Sequence, residues 1–146
     1  MYLCDCLGGG EITHEGTGLT GRGVSVVDYG SFAMYGGTIT RNDAGTNNGG
    51  GVYADGSFRM YGGTISDNQA YSGGGVYGSL LVEIYDSFII NNTATYGGGL
   101  EYTADFWTLI MQNVTITGNT AEQSGGGAYI YGNNVAMTNV TITGNK

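Results

Sequence analysis

The sequence predicts an all-β solenoid, a parallel β-helix in which the short strands of successive coils stack on one another. Isoleucines recur 24 to 27 residues apart along the chain, and five of the six are followed three positions later by asparagine. Glycine runs recur with a similar period, and the apolar residues between them alternate with other residues as strands do. In a repeat of this length each coil buries its apolar face only against the next coil.

The first strand of each coil is expected directly after a glycine run. Glycine suits such corners because it adopts positive φ and allows close backbone approach without steric cost. The runs begin at residues 21, 49, 73, 97 and 125, which indicates about five coils of 24–28 residues. The apolar residues that follow the runs are Val24, Val52, Val76, Leu100 and Ala128.

Two more strands complete each coil and give it a triangular section. The second carries apolar pairs two residues apart, whose side chains share one face: Phe32 and Met34, Phe58 and Met60, Val82 and Ile84, Leu109 and Met111, Val135 and Met137. The third is centred on the isoleucine column: Ile39, Ile65, Ile89, Ile116 and Ile142, with Ile12 before them. Small residues follow at a tight corner: Ala44, Ala70, Ala94 and Ala121.

Charged residues that were not used to align the coils give a check on the register. Arg41 falls in the column of Asp67, and Arg59 falls beside Glu83. Neighbouring coils lie about 4.8 Å apart, so opposite charges in one column would meet across a parallel ladder. The alignment therefore predicts both ion pairs.

The asparagine column is predicted to be structural. A buried corner amide must be satisfied, and stacked amides can bond to the backbone and to one another. Ligand contact is the alternative role. The column consists of Asn42, Asn68, Asn92, Asn119 and Asn145.

Composition excludes several classes of partner. The net charge is -8, and the basic residues are limited to Arg22, Arg41, Arg59 and Lys146. The sequence therefore lacks the basic surface that binds the phosphates of a nucleic acid. No apolar run is long enough for a membrane span, and residues 1–5 do not resemble a signal peptide. Cys4 and Cys6 are expected to be small buried apolar side chains rather than a redox or metal pair.

The Gly-Gly-Gly-Val element at residues 49–52 and 73–76 and the Ile-x-x-Asn element resemble the repeats of right-handed parallel β-helix surface proteins. Among these are the chlamydial polymorphic outer membrane proteins, whose repeats read Gly-Gly-Ala-Ile and Phe-x-x-Asn. The resemblance covers nearly the whole chain. It implies a right-handed, single-stranded β-helix that forms one domain over residues 1–146. It also implies an adhesive or display role on a bacterial surface or outside the cell.

An enzyme on this fold would act on acidic polysaccharides with carboxyl groups about 5 to 9.5 Å apart. Glu83 is predicted between Arg59 and Ile110, and Glu101 lies between two tyrosines, so no outward column stacks acids in adjacent coils. His14, the single histidine, is expected in a solvated surface role. We therefore expect no catalytic residues, metal or cofactor, with a polysaccharide-degrading or carbohydrate-binding module as the alternative.

Ice binding is a further alternative, since flat outward ranks of threonine serve that function on β-solenoids. The two columns beside the isoleucines are rich in threonine. Phe88 and Ile90 interrupt them, and any exposed strand position favours β-branched residues. The columns are Thr38, Thr64, Phe88, Thr115 and Thr141, and Thr40, Ser66, Ile90, Thr117 and Thr143.

Aromatic residues are the candidate binding groups. Stacks are predicted for Tyr35, Tyr61 and Tyr85 on one face and for Tyr53 and Tyr77 on another. The rings could bind a glycan or a surface protein. Alternatively, they could stabilise the sheet without any ligand.

The longest insertion, residues 103–108, is expected to be a loop and carries Phe106 and Trp107. Loops on a rigid scaffold often bind ligands, yet the parity of Trp107 with Leu109 favours an inward position over a corner. No cap is predicted before the first coil or after the last. The chain is therefore expected to be a segment of a longer solenoid or to stack end to end with other copies, and end-to-end self-association of the isolated chain is predicted.

Overall fold

The structure, a computed structural model, describes residues 2–3, 10–13 and 20–146. Cys4, Cys6 and His14 lie outside these residues. Every regular element in the described part is a β-strand. The strands are β1 (Tyr2–Leu3), β2 (Glu11–Ile12), β3 (Val24–Val26), β4 (Ser31–Met34), β5 (Thr38–Thr40), β6 (Val52–Ala54), β7 (Ser57–Met60), β8 (Gly63–Ser66), β9 (Val76–Gly78), β10 (Val82–Tyr85), β11 (Ser87–Ile90), β12 (Thr93–Tyr96), β13 (Leu100–Gln112), β14 (Thr115–Thr117), β15 (Thr120–Ser124), β16 (Ala128–Thr138) and β17 (Thr141–Thr143).

These strands form a parallel β-solenoid of about five coils, which confirms the predicted fold. We number the coils 1 to 5 from their glycine runs, as residues 21–48, 49–72, 73–96, 97–124 and 125–146. One face contains β3, β6 and β9, and a second contains β1, β4, β7 and β10. The long strands β13 and β16 bend across both faces and join them into one sheet. The third face contains β2, β5, β8, β11, β14 and β17.

The observed register matches the predicted columns. Val52 pairs with Val76, Phe58 with Val82, and Ile65 with Ile89, all in parallel. Inside the solenoid the apolar columns form one continuous core, and the Ile39, Ile65, Ile89 and Ile116 side chains are fully buried. Corner residues 93–96 and 120–124 add an unpredicted two-stranded sheet, β12 with β15.

The five asparagines form a continuous amide column along the inner corner. In each of the first four, Nδ2 donates to Oδ1 of the asparagine in the next coil at 2.9 to 3.0 Å, and the backbone N–H of the same residue donates to the same oxygen. Each Nδ2 also donates to the carbonyl oxygen of an isoleucine in the coil before, as Asn92 does to Ile65 at 3.0 Å. The column thus satisfies backbone groups that the corner would otherwise bury unpaired.

A left-handed corner precedes each asparagine, and the sequence reasoning did not anticipate it. The residues in that corner have φ between 55° and 69°. Asparagine, aspartate and glycine tolerate this region better than most residues do. The column consists of Arg41, Asp67, Asn91, Gly118 and Gly144.

One predicted ion pair forms and the other does not. Arg59 pairs with Glu83 across β7 and β10, as the register requires. Arg41 pairs with Glu11 in the coil before it, and its pairing with Asp67 was therefore wrong. Arg41 and Asp67 both lie in the left-handed corner, outside the extended strands to which the cross-strand pairing rule applies.

Candidate binding surfaces

The Tyr35, Tyr61 and Tyr85 rings stack face to face along the second face of the solenoid. Their ring centroids are 5.1 and 5.6 Å apart, with interplanar angles of 18° and 5°. The hydroxyl of Tyr85 donates to Oε1 of Glu83 at 3.3 Å. Since both faces of the middle ring are covered by its neighbours, this stack presents ring edges and hydroxyls outward. It therefore suits hydrogen bonding better than stacking against a sugar ring.

The Tyr53 and Tyr77 rings form a second stack on the first face, with centroids 5.4 Å apart. The guanidinium of Arg22 lies 4.4 Å from the Tyr53 centroid and covers its free side. On the other side the Tyr77 hydroxyl is 3.2 Å from Oγ1 of Thr103. Burial, and then the nearby Asp55 carboxylate, raise the pKa of Tyr53. The face of the Tyr53 ring that does not stack on Tyr77 is thus covered by Arg22.

Phe106 and Trp107 lie in a bulge within β13 and not in a loop, so the loop prediction was wrong. Ala104 pairs with Gly132 and Thr108 pairs with Asn134. Residues 105–107 therefore stand opposite a single residue of β16. Because β13 pairs with β16 both before and after these residues, the segment is a bulge within one continuous strand. The sequence pattern had suggested that the strand was interrupted here.

Both aromatic side chains of the bulge face solvent. Phe106 is 90% exposed and Trp107 is 45% exposed, so the inward position predicted for Trp107 was also wrong. The parity argument failed because the bulge inserts extra residues between Ala104 and Leu109, which are both buried. Tyr131, which precedes the partner of Ala104 in β16, is exposed as well.

Glu101 is buried although its strand position points outward. It pairs with Tyr77 on one side and Tyr129 on the other, and only 8% of the residue is exposed. Its Oε2 has no hydrogen-bond partner. Burial raises the pKa of this carboxyl, and a hydrogen bond from Ser72 partly opposes the rise. The tyrosine column thus contains one carboxyl group that favours its protonated form more than an exposed one would.

The comparison with known families agrees with this geometry. A family model described as a right-handed beta helix region matches residues 12–146. The chain belongs to the right-handed β-helix family. No curated protein and no solved structure matches it.

Glu83 and Glu101 lie in different environments. Glu83 is engaged by Arg59, whereas Glu101 is enclosed by tyrosines in a different column. Among the described residues, no group of three or more histidine, cysteine, aspartate or glutamate side chains is arranged to hold a metal ion. In the same residues no helix has the length and hydropathy needed to cross a membrane.

The threonine columns do not form a flat exposed rank. Thr40 and Ser66 are buried, and the Ser66 hydroxyl donates to Oγ1 of Thr40 at 3.1 Å. Phe88 interrupts the other column between Thr64 and Thr115 and is 51% exposed. This arrangement counts against ice binding, which needs unbroken outward hydroxyl and methyl groups.

A second amide column lies at the outer corner before the third face, and sequence reasoning missed it. Nδ2 of Asn113 donates to Oδ1 of Asp86 at 2.7 Å, and Nδ2 of Asn139 donates to Oδ1 of Asn113 at 2.8 Å. All three residues have positive φ and exposed side chains. The recurring Asn-Val-Thr at 113–115 and 139–141 was the available signal, because asparagine is enriched in that conformation.

Proposed function

We propose that this β-helix is a non-enzymatic scaffold segment of a bacterial cell-surface or secreted protein, and that its aromatic bulge contacts a glycan or a surface protein. The observation that carries the proposal is the exposure of Phe106 and Trp107 on a strand that is paired on both sides of them. Large exposed aromatic groups are typical of recognition sites.

The rigid base of the bulge supports a role in adhesion. Ala104 and Leu109 anchor its two ends in the core, and β16 pairs with β13 before and after it. The aromatic groups are therefore held in place before a partner arrives. Binding then costs less conformational entropy than it would on a free loop.

The separation of the carboxylates supports a non-enzymatic role. Glycoside hydrolysis needs two carboxyl groups that flank one bond. Glu83 is held by an arginine and Oε2 of Glu101 is buried, so neither is free to act with the other on a shared substrate.

The surface location rests on the repeat motifs. The Gly-Gly-Gly-Val and Ile-x-x-Asn elements are similar to those of chlamydial polymorphic outer membrane proteins, which supports display outside the cell. A fold of this kind can host many functions, so the bulge and not the fold carries the proposed activity.

A paired substitution tests the role of the bulge. Wild type and a Phe106→Ala, Trp107→Ala double variant would be applied to a glycan array and to purified extracellular-matrix proteins. We expect the double variant to lose the binding seen for wild type while its circular dichroism stays unchanged. Phe88→Ala is the matched control, because Phe88 is an exposed aromatic residue on another face.

Two outcomes would contradict the proposal. Equal binding by wild type and the double variant would remove the bulge from the interaction. Release of shorter chains from an acidic polysaccharide by the wild-type protein would show an enzyme.

A further inference from the structure

A groove crosses the corner of the solenoid on coils 2 and 3, away from the aromatic bulge. Its volume is about 270 Å³. The small side chains Ala70 and Ala94 form its floor, and Tyr71 and Thr95 lie beside them. Thr46 of coil 1 and Glu122 of coil 4 close its two ends. Two coils at about 4.8 Å spacing give it a length of about 10 Å.

The wall on the side of coil 1 is built by a firmly bonded turn. The backbone N–H and Nδ2 of Asn47 both donate to the carbonyl oxygen of Ala44 at 3.0 Å. The N–H of Tyr71 then donates to the carbonyl oxygen of Asn47 at 2.8 Å. Between the corner asparagine and the next glycine run, coil 1 has six residues (43–48), whereas coils 2 and 3 have four (69–72 and 93–96). The groove lies beside this longer turn.

Tyr71 differs from the tyrosines of the two stacks. Its ring meets Tyr96 nearly at a right angle, with centroids 5.8 Å apart, and it is 46% exposed. A ring that is not sandwiched between two others keeps surface for contact with the C–H face of a sugar. The groove also offers the hydroxyls of Thr46 and Thr95 and the amide of Gln69. Apolar contact with a few polar groups is the usual make-up of a small-ligand site.

The negative charge of the groove restricts which ligands it can bind. Glu122 carries a negative charge in the lining, and its Oε2 accepts a hydrogen bond from Oγ1 of Thr95 at 3.4 Å. Among the described residues that line the groove, none is basic. A carboxylate on the ligand would therefore be repelled, both here and by the net charge of -8. Hydroxyl or ammonium groups would be attracted.

We propose that this groove binds a short oligosaccharide of neutral or amino sugars, and that it excludes sugars with carboxylate groups. The Tyr71 ring packs against the apolar side of one sugar ring. The Glu122 carboxylate accepts hydrogen bonds from sugar hydroxyls or from the ammonium of an amino sugar. The proposal rests on the groove alone and does not depend on the aromatic bulge.

Titration calorimetry with cellotetraose, a glucosamine tetramer and a galacturonate tetramer tests it. We expect binding of the first two and none of the third. Tyr71→Ala should weaken both affinities at least about tenfold, whereas Tyr71→Phe should keep them, because the ring makes the contact. Glu122→Gln should lower the affinity for the glucosamine tetramer more than the affinity for cellotetraose, because it removes the charge that attracts the ammonium groups.

The Phe106→Ala, Trp107→Ala double variant separates this site from the bulge. It should bind the two tetramers as wild type does. Absence of binding by both neutral and amino sugars at millimolar concentration would overturn the proposal. So would equal affinity for the galacturonate tetramer, or full affinity in Tyr71→Ala.

Discussion

Nδ2 of Asn68 and Oδ1 of Asn92 are joined by a 3.0 Å hydrogen bond between neighbouring coils, and the backbone N–H of Asn68 shares the same acceptor. Asn92 in turn donates to the carbonyl oxygen of Ile65. It also donates to Oδ1 of Asn119, so one side chain serves four groups in the buried corner. The strength of the coil stack depends on these amides as well as on apolar contact.

Replacement of Asn92 by alanine should therefore be costly. It leaves both donors of Asn68 and the Ile65 carbonyl without this partner, and each unsatisfied buried group costs about 1 to 3 kcal/mol. We expect the free energy of unfolding to fall by at least about 3 kcal/mol in urea titrations. Asn113→Ala, in the exposed amide column, is the control and should cost under about 1 kcal/mol. Equal losses would contradict a special role for the buried column.

The isoleucine column offers a second comparison within one set of equivalent positions. Ile89 is fully buried, whereas Ile142 in the last coil is 45% exposed. Ile89→Asn should cost at least about 3 kcal/mol of unfolding free energy, since it buries an unpaired amide and removes apolar contact. Ile142→Asn should cost less than half as much. Similar denaturation midpoints for the two variants would show that burial does not set the cost.

Tyr102 places a phenol in the core where the preceding coils have Ala54 and Gly78. Its hydroxyl has no partner, and burial raises the pKa of this phenol to about 12. Tyr102→Phe should therefore keep the packing, remove an unsatisfied donor and raise stability by about 1 kcal/mol. Tyr77→Phe, which removes a hydroxyl next to Thr103, should not stabilise. A lower thermal midpoint for Tyr102→Phe would mean that the hydroxyl is satisfied in solution.

Glu101 should make the stability of the protein depend on pH. Burial raises the pKa of its carboxyl in the folded state, so the folded protein holds this proton more tightly than the unfolded chain does. Its contribution is then complete below the unfolded pKa of about 4.3 and is lost as the pH rises through the folded pKa. Glu101→Gln should therefore match wild type at pH 4 and be more stable at pH 7. Thermal unfolding of both proteins across that range would reveal the change, and a stability difference that stays constant with pH would contradict it.

The outer side of the last coil should drive association of the 146-residue chain. Val135, Met137 and Ile142 are 37%, 42% and 45% exposed, although the columns to which they belong are fully buried in coils 2 to 4. Strands β16 and β17 each pair on one side, with β13 and β14. We expect sedimentation coefficients that increase with protein concentration, most clearly at high salt, where repulsion from the net charge of -8 is screened. A strict monomer under those conditions would contradict end-to-end stacking.

The sequence was sufficient to predict the register of the strands, because glycine, isoleucine and asparagine recur at equivalent positions in each coil. It misplaced features that depend on backbone conformation. Arg41 pairs with Glu11 instead of Asp67, and both Arg41 and Asp67 lie in left-handed corners that the repeat pattern did not reveal. The environment of Trp107 changed because an insertion that looked like a loop continued as a bulged strand. The groove beside Tyr71 lies next to a corner that is two residues longer in coil 1 than in coils 2 and 3. The repeat spacing shows this longer corner, but it does not show that the side chains leave a groove beside it.

The bulge at residues 105–107 separates variation at the surface from the requirements of folding. Pairing resumes in register at Thr108, and the next buried residue, Leu109, keeps its column. Natural selection can therefore replace or lengthen the exposed segment of one coil while the neighbouring coils keep their sequence constraints. The same position is where an engineered peptide could be displayed without redesign of the core.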